Sequence, residues 1–90
     1  MSYFIICTDR PKSLKKRLLI REKHINYLNK FKSNIITAGP LLDSKGNPYG
    51  SLLIVNFTTI SEVRDFLNND PYYLEKLFKD VEIKKFKKVF

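Results

Sequence analysis

Apolar residues recur along this chain at two spacings, and the change between them separates predicted strands from predicted helices. Residues 3 to 8 are mostly aromatic or β-branched and are followed by residues 9 to 11, which end in a proline that cannot continue a ladder; they predict a first strand. Residues 12 to 32 then carry apolar positions at helical spacing, with Ser13 as a candidate N-cap. The stripe of this helix expected to face the core contains Leu14, Leu18 and Ile25.

The middle of the chain predicts a hairpin. Residues 35 to 42 form a second strand that is interrupted by Gly39-Pro40, a pair typical of a bulge or an edge strand. Residues 43 to 50 have turn chemistry throughout, and residues 51 to 57 form a third strand that pairs back with the second. A loop of this length is long enough to be mobile and to cover a site, although the sequence does not define its path.

The last third predicts two helices and a final strand. Thr59 and Glu62 match the capping box, so a second helix starts there and ends near Asn69. Asp70 before Pro71 then predicts a short extra helix over residues 71 to 78, with Asp as N-cap and Pro at the first helical position. Residues 81 to 90 alternate imperfectly between apolar and charged positions, as an antiparallel strand with one wet face does.

This order of elements predicts an α+β fold of the ferredoxin-like type, βαββαβ, in which both helices cover one face of a four-stranded antiparallel sheet. We expect residues 1 to 90 to form a single domain of this kind. The other sheet face needs cover as well, and pairing with the sheet of a second copy would give a dimeric α/β barrel. The alternative, an open sheet that displays aromatic residues to RNA, lacks the motifs of RNA-binding sheets.

Composition narrows the class of protein. With 43% hydrophobic residues the chain can build a packed core, and 90 residues leave stability marginal enough that dimerisation is a reasonable expectation. No apolar run reaches the roughly 18 to 20 residues of a membrane span, and the start lacks the pattern of a secretory signal, so we expect a cytoplasmic protein. The single cysteine, Cys7, is expected to be buried as a small hydrophobic side chain. Because one Cys and one His do not supply the ligands of a metal site, we expect no metal, and we also expect no cofactor.

The formal net charge of +8 favours anionic partners, which include nucleic acid, an acidic membrane surface and a carboxylate substrate. Most of the basic residues are lysines spread over the first helix and the last strand, without an RNA-recognition octapeptide or a KH loop. A solvated, lysine-rich surface explains this pattern, and nucleic acid is an unlikely partner.

Candidate chemistry lies on the first helix, where Arg17, Arg21 and the only histidine, His24, form a narrow stripe beside the predicted core stripe. Histidine suits acid or base work near neutral pH, and two arginines could hold a carboxylate. The structural alternative is a surface histidine in a basic helix. Asp70 is likewise explained by helix capping alone, and Tyr72 by packing over a core edge. Ser51 is weak support for a nucleophile.

Several short segments in order resemble one family. They are Arg17, Arg21 and His24, then Thr37-Ala38-Gly39-Pro40, Gly50-Ser51, Asp70-Pro71-Tyr72 and the ending Phe86-Lys87-Lys88-Val89-Phe90. Together they resemble the YciI-like (YCII-related) family across nearly the whole chain. That family is similar to the dimeric α/β barrel proteins that include muconolactone isomerase, and some relatives are dehalogenases of chlorinated muconolactones. The resemblance implies a homodimer with a cleft, in which a helix histidine lies beside an aspartate; these match His24 and Asp70.

The resemblance implies a catalytic pair in which Asp70 accepts the Nδ1 proton of His24 and Nε2 faces the cleft as acid or base. Arg17 or Arg21 would then neutralise the carboxylate of a small anionic molecule, and Ser51 and Tyr72 would help to bind it. The expected function is an isomerase, a lactone-cleaving enzyme or an elimination or dehalogenation enzyme. The alternative is a non-catalytic ligand-binding or scaffold homodimer that uses the same cleft.

Overall fold

A computed structural model describes residues 2 to 90 and divides them into four strands and three helices. The elements in chain order are β1 (Ser2–Asp9), α1 (Leu14–Asn29), β2 (Ile35–Leu42), β3 (Pro48–Val55), α2 (Ile60–Asn68), α3 (Pro71–Leu74) and β4 (Phe78–Phe86). The strands form one sheet in the order β2-β3-β1-β4, and every neighbouring pair is antiparallel. This confirms the predicted ferredoxin-like α+β fold.

The hairpin loop between β2 and β3 is shorter than predicted, because β3 already begins at Pro48 and only residues 43 to 47 connect the strands. The Asp43 carboxylate accepts hydrogen bonds from the backbone N–H groups of Lys45 (2.9 Å) and Asn47 (3.0 Å). Gly46 takes a φ of 83°, which residues with a side chain rarely adopt. The predicted length of the loop is therefore wrong, because the connection is a tight turn held by its own aspartate.

Helix boundaries also differ from the pattern. Thr59 caps α2 as predicted, accepting the backbone N–H of Glu62 at 3.2 Å, whereas Ser13 makes no side-chain capping bond to α1. The short helix α3 ends at Leu74 rather than at residue 78, since Lys76 adopts a φ of 58° that no helix continues. The chain can therefore enter β4 at Phe78, three residues earlier than expected.

The core lies between the sheet and the helices. Alternate residues of β1 and β3 point into it, and Ile5, Leu53 and Val55 are essentially without solvent contact. Cys7 is fully buried among them, as predicted for a small hydrophobe. The edge of the core is an aromatic cluster consisting of Tyr27, Phe31, Phe57 and Phe66.

The predicted orientation of α1 is wrong. The buried positions of this helix are Arg17, Ile20 and His24, whereas Leu18 is 56% exposed and Leu14 and Ile25 are also open to solvent. Polar side chains can be buried in place of leucines only when they have partners there. The burial of an arginine and a histidine under α1 therefore points to a polar site beneath the helix.

The sheet face opposite the helices is apolar in its centre. Phe4, Ile6, Leu52 and Ile54 are half-buried on this side, and Phe4 packs edge-to-face against Phe86 at 6.4 Å between ring centroids. Within residues 2 to 90, no helix has the length and the apolar character needed to cross a membrane.

Candidate active site

A cavity of about 200 Å³ lies beneath α1, against β2, β3 and the start of α3. Its polar walls come from five of the six predicted site residues, which are Arg17, Arg21, His24, Ser51 and Tyr72. The sixth, Asp70, lies behind His24. The remaining walls are apolar and small, formed by Leu18, Ile25, Leu28, Ala38, Gly39, Pro40, Pro48 and Leu53. The predicted interruption at Gly39-Pro40 is absent, because β2 continues through both residues as an edge strand and its register shifts lie near its two ends; both residues still line the cavity.

His24 and Asp70 are joined by a hydrogen bond of 2.9 Å between Nδ1 and Oδ1. Asp70 is 1% exposed, and the same Oδ1 accepts the backbone N–H of Tyr72 at 2.9 Å, which caps α3. The capping role and the partner role of Asp70, alternatives from the sequence, therefore coexist in one oxygen atom. Because a carboxylate accepts hydrogen bonds, the Nδ1 atom of His24 carries the hydrogen, and Nε2 is the nitrogen left for another partner.

The free nitrogen of His24 has access to the cavity. Within residues 2 to 90, every fully buried side-chain nitrogen or oxygen has a hydrogen-bond partner. His24 Nε2 bonds to none of these residues, so it is not sealed from the open space that His24 lines. A histidine held at one nitrogen and open at the other is the arrangement that general acid or base catalysis needs.

The Tyr72 ring fixes the plane of the imidazole. The two rings stack with centroids 3.9 Å apart and an angle of 16° between their planes. The Arg17 guanidinium lies over the same tyrosine ring, 4.6 Å from its centroid. Burial raises the pKa of Tyr72 above its usual value, with Arg17 and Arg21 opposing the effect, so the phenol stays protonated and can donate a hydrogen bond.

Arg17 is closed off by protein partners, which the sequence did not reveal. Its Nε and one terminal nitrogen bind the Asp9 carboxylate at 2.6 and 3.0 Å, and that terminal nitrogen also donates to Ser51 Oγ at 2.8 Å. Arg17 is 3% exposed and Asp9 is 9% exposed. Asp9 was missed because the strand was expected to stop at residue 8. Had the alternation Tyr3, Ile5, Cys7 been extended by one step, it would have placed Asp9 on the helix-facing side.

Arg21 is the contrasting arginine. It lies one helical turn from Arg17, is exposed, and lines the mouth of the cavity. It pairs with no carboxylate of residues 2 to 90. Arg21 is therefore the cationic side chain of the cavity wall that is available to a ligand.

Gly50 explains how Ser51 reaches the cavity. A Cβ atom at position 50 would lie 2.3 Å from the Cys7 carbonyl oxygen, so only glycine allows β3 to approach β1 this closely. Ser51 then pairs with Cys7 in the sheet and points toward α1. In the Gly50-Ser51 segment, Gly50 is therefore required for close packing against β1, and Ser51 lines the cavity.

Cys7 beneath the site is unsuited to nucleophilic chemistry. Burial first, then the negative charges of Asp70 and Asp9, raise the pKa of its thiol to about 12 against the opposing effect of Arg17. The thiolate that would attack a substrate is therefore not formed near neutral pH. No group of three His, Cys, Asp or Glu residues within the described part of the chain could hold a metal ion.

The fold and the cavity define a class of protein, a ferredoxin-like α+β domain with a histidine that is hydrogen-bonded to a carboxylate and lines a small pocket. Residues 1–87 match the model of the YCII-related domain, and the chain belongs to that family. An uncharacterised protein of Haemophilus influenzae is 36% identical over 99 aligned positions, and the protein YciI of Escherichia coli is 32% identical over 98; each alignment covers 100% of both chains.

One solved structure connects the family to an enzyme. It is 5-chloro-2-hydroxyhydroquinone dehydrochlorinase from Burkholderia phenoliruptrix, in complex with 2,5-dihydroxybenzoquinone. The TM-score is 0.92 and the identity 32%, covering 97% of this chain and 94% of that chain. The backbone that surrounds the cavity is therefore shared with a protein that binds a small oxygenated ring.

Proposed function

We propose that this protein is a small-molecule enzyme in which His24 and Asp70 act as an acid-base pair on a small anionic ring compound. The observation that carries the proposal is the 2.9 Å bond between Nδ1 of His24 and the buried Asp70, which leaves Nε2 toward the cavity. The similar dehydrochlorinase supports the elimination type of reaction, because its name and its ligand describe chemistry on an oxygenated ring.

The size of the cavity favours a single ring. A dry cavity of about 150 Å³ holds benzene, whereas pockets for drug-sized ligands span about 300 to 1,000 Å³. The cavity here measures about 200 Å³. It suits one six-membered ring with a few oxygen or halogen substituents, flanked by the apolar walls and close to the His24 and Tyr72 rings.

The chemistry follows from the positions of the charges. When Nε2 of His24 takes a proton from the substrate, the imidazolium that forms is stabilised by the Asp70 carboxylate. In an elimination, the electron pair of the broken bond to hydrogen forms a double bond and expels the leaving group; in an isomerisation, the proton returns to another atom. Arg21 would hold the substrate's negative charge, while Ser51 and Tyr72 would donate hydrogen bonds to its oxygen atoms.

The functional unit in this proposal is a homodimer. The half-buried apolar sheet face contains Phe4, Ile6, Leu52 and Ile54, and the same face of a second copy would cover it. Size-exclusion chromatography with light scattering gives the mass directly. A dimer that dissociates when Ile6→Lys is introduced supports this arrangement, and a monomeric native protein contradicts it.

A non-catalytic binding protein is the second candidate. The observation that favours it is that the cavity is lined by Arg21 and apolar side chains, which would bind an anionic ring without any proton transfer. This alternative predicts that His24→Gln retains the biological function as well as ligand binding.

The deciding experiment uses the fact that the chain has one histidine, so its imidazole NMR signals need no assignment. Chlorinated hydroxyhydroquinones and small cyclic acids are screened for shifts of these signals, and the ligands found are assayed for chloride release or isomerisation. We expect turnover in the native protein, and in His24→Gln binding without turnover, with the binding to this variant measured by calorimetry because it has no imidazole signal. Equal turnover by both proteins would disprove the mechanism, and binding without turnover in the native protein would favour the second candidate.

A further inference from the structure

The buried pair of Asp9 and Arg17 cancels a charge at the cavity wall. Two hydrogen bonds join the guanidinium to both carboxylate oxygens, and the two side chains are 5% and 4% exposed. The Asp9 carboxylate offsets the positive charge of the Arg17 guanidinium, so the pair as a whole adds no net charge to the cavity wall. Arg17 thus lines the cavity with its charge already neutralised by protein.

The remaining charges near the cavity can be counted one by one. Asp70 carries a negative charge behind His24, and Arg21 carries a positive charge at the mouth. With Asp9 and Arg17 cancelling each other, the site is neutral when His24 is neutral and carries one positive charge when His24 is protonated. Arg21 can receive one anionic group in either state of His24, and a second anionic group would have no cation left to receive it when His24 is neutral.

We infer that Asp9, which makes no contact with the ligand, is a specificity-determining residue: by neutralising Arg17 it restricts the cavity to ligands with a single negative charge, held by Arg21. This inference rests on the proposed function, since it assigns the charge of the ligand to the same cavity. Asp9 is also a positioning residue. It holds Arg17 where its guanidinium meets Ser51 Oγ at 2.8 Å and the Tyr72 ring at 4.6 Å.

The pair of Asp9 and Arg17 also sets the orientation of the Ser51 hydroxyl group. Arg17 donates to one lone pair of Ser51 Oγ. The hydroxyl hydrogen of Ser51 has no acceptor among residues 2 to 90, and Ser51 lines the cavity. Ser51 therefore presents its O–H group to an uncharged oxygen of the ligand, which complements a single charge at Arg21.

The test compares two probes of the same shape that differ in charge. Isophthalate carries two carboxylates, and 3-carbamoylbenzoate carries one carboxylate and one amide. Dissociation constants are measured from the His24 imidazole shifts. We expect the native protein to prefer 3-carbamoylbenzoate, and Asp9→Asn, which frees the charge of Arg17, to change the ratio by roughly tenfold toward isophthalate.

A matched control is Asp65→Asn, which makes the same change of net charge at an exposed position of α2. It should leave the ratio within about twofold of the native value, because Asp65 does not line the cavity and an exposed charge is screened by water and salt. A ratio in Asp9→Asn that equals that of Asp65→Asn overturns the role of Asp9. Absence of shifts with either probe in the native protein would instead overturn the proposed function of the cavity.

Asp9→Asn leaves a buried arginine without its partner, so a second variant is included that does not disturb the core. Arg21 is exposed, and Arg21→Gln should fold normally. We expect it to lose the native preference for benzoate over benzamide. If that preference survives in Arg21→Gln, another cation receives the carboxylate and the inference fails, whether or not Asp9→Asn folds.

Discussion

The two buried pairs under α1 have the same composition, one basic side chain of the helix and one aspartate, but different hydrogen-bonding partners. Arg17 uses its guanidinium on Asp9 and Ser51, so the pair is complete within the protein. His24 uses one nitrogen on Asp70 and keeps the other toward the cavity. The first pair is therefore suited to hold structure and the second to carry out chemistry, although both lie on one helix face seven residues apart.

The largest effect is expected from breaking the complete pair. Arg17→Met leaves Asp9 buried without its cation, and removing one partner of a buried ion pair lowers the free energy of unfolding by about 3 to 5 kcal/mol. Urea denaturation followed by circular dichroism measures the change. The control is Asp9→Leu with Arg17→Met, which removes both charges and should recover much of the loss. A double variant as unstable as Arg17→Met would show that the contacts of Arg17, and not its charge, stabilise the fold.

Breaking the open pair should affect turnover more than stability. In Asp70→Asn the amide oxygen can still accept the backbone N–H of Tyr72, so the α3 cap is retained. The neutral amide no longer stabilises a protonated His24, and we expect turnover to fall about 10² to 10⁴-fold. Initial rates on a substrate found by the screen check this, with circular dichroism as the control for folding. Unchanged rates in Asp70→Asn would contradict a catalytic role for the pair.

This division between structure and chemistry could be predicted from the sequence only in part. The fold was predictable because strand alternation, the Thr59 capping box and the Asp70-Pro71 helix start are local signals that agree with one topology. The ends of the helices and strands could not be predicted in the same way. The positive φ of Lys76, which ends α3, and the turn at Asp43, which ends β2, depend on tertiary pairing of the flanking strands.

The sequence was enough to name the candidate site residues but not to predict which of them bind each other. Spacing on the helix placed Arg17, Arg21 and His24 on one face, and in the structure all three side chains line the cavity. Periodicity could not show that Asp9 neutralises Arg17, because the two residues come from different elements that only the folded sheet brings together. The helical spacing also placed leucines in the core, because hydrophobicity alone does not show that a polar side chain has a buried partner.

Alkaline pH should weaken the fold through Cys7, which responds to both pairs. Its pKa is raised by burial and by Asp70 and Asp9, from 9.0 to about 12. A raised pKa means that the unfolded chain loses the proton first; full stability is present below pH 9 and is lost as the pH rises toward 12. The free energy of unfolding should fall by up to about 1.4 kcal/mol per pH unit in this window.

The matched variant for this measurement is Cys7→Ala. It removes the thiol titration, while the tyrosines Tyr27 and Tyr72, whose pKa values are also raised by burial, remain in both proteins. The slope of stability against pH between 9 and 10 should therefore be smaller in Cys7→Ala. Equal slopes would mean that burial and the two carboxylates do not raise the pKa of the thiol in the folded protein.

The smallest expected effect concerns the N-terminal cap of α2, which belongs to neither pair. It is the reference against which the effects of changing the two pairs are compared. Thr59 Oγ1 accepts the backbone N–H of Glu62 at 3.2 Å and donates to the Glu62 carboxylate at 3.2 Å, on the exposed start of α2. Thr59→Ala removes this cap and should lower the free energy of unfolding by about 1 kcal/mol. Because α2 supplies none of the cavity walls, ligand affinity should not change. A loss of affinity in Thr59→Ala would show that general destabilisation reaches the site, and the effects of Arg17→Met and Asp70→Asn would then have to be compared at equal stability.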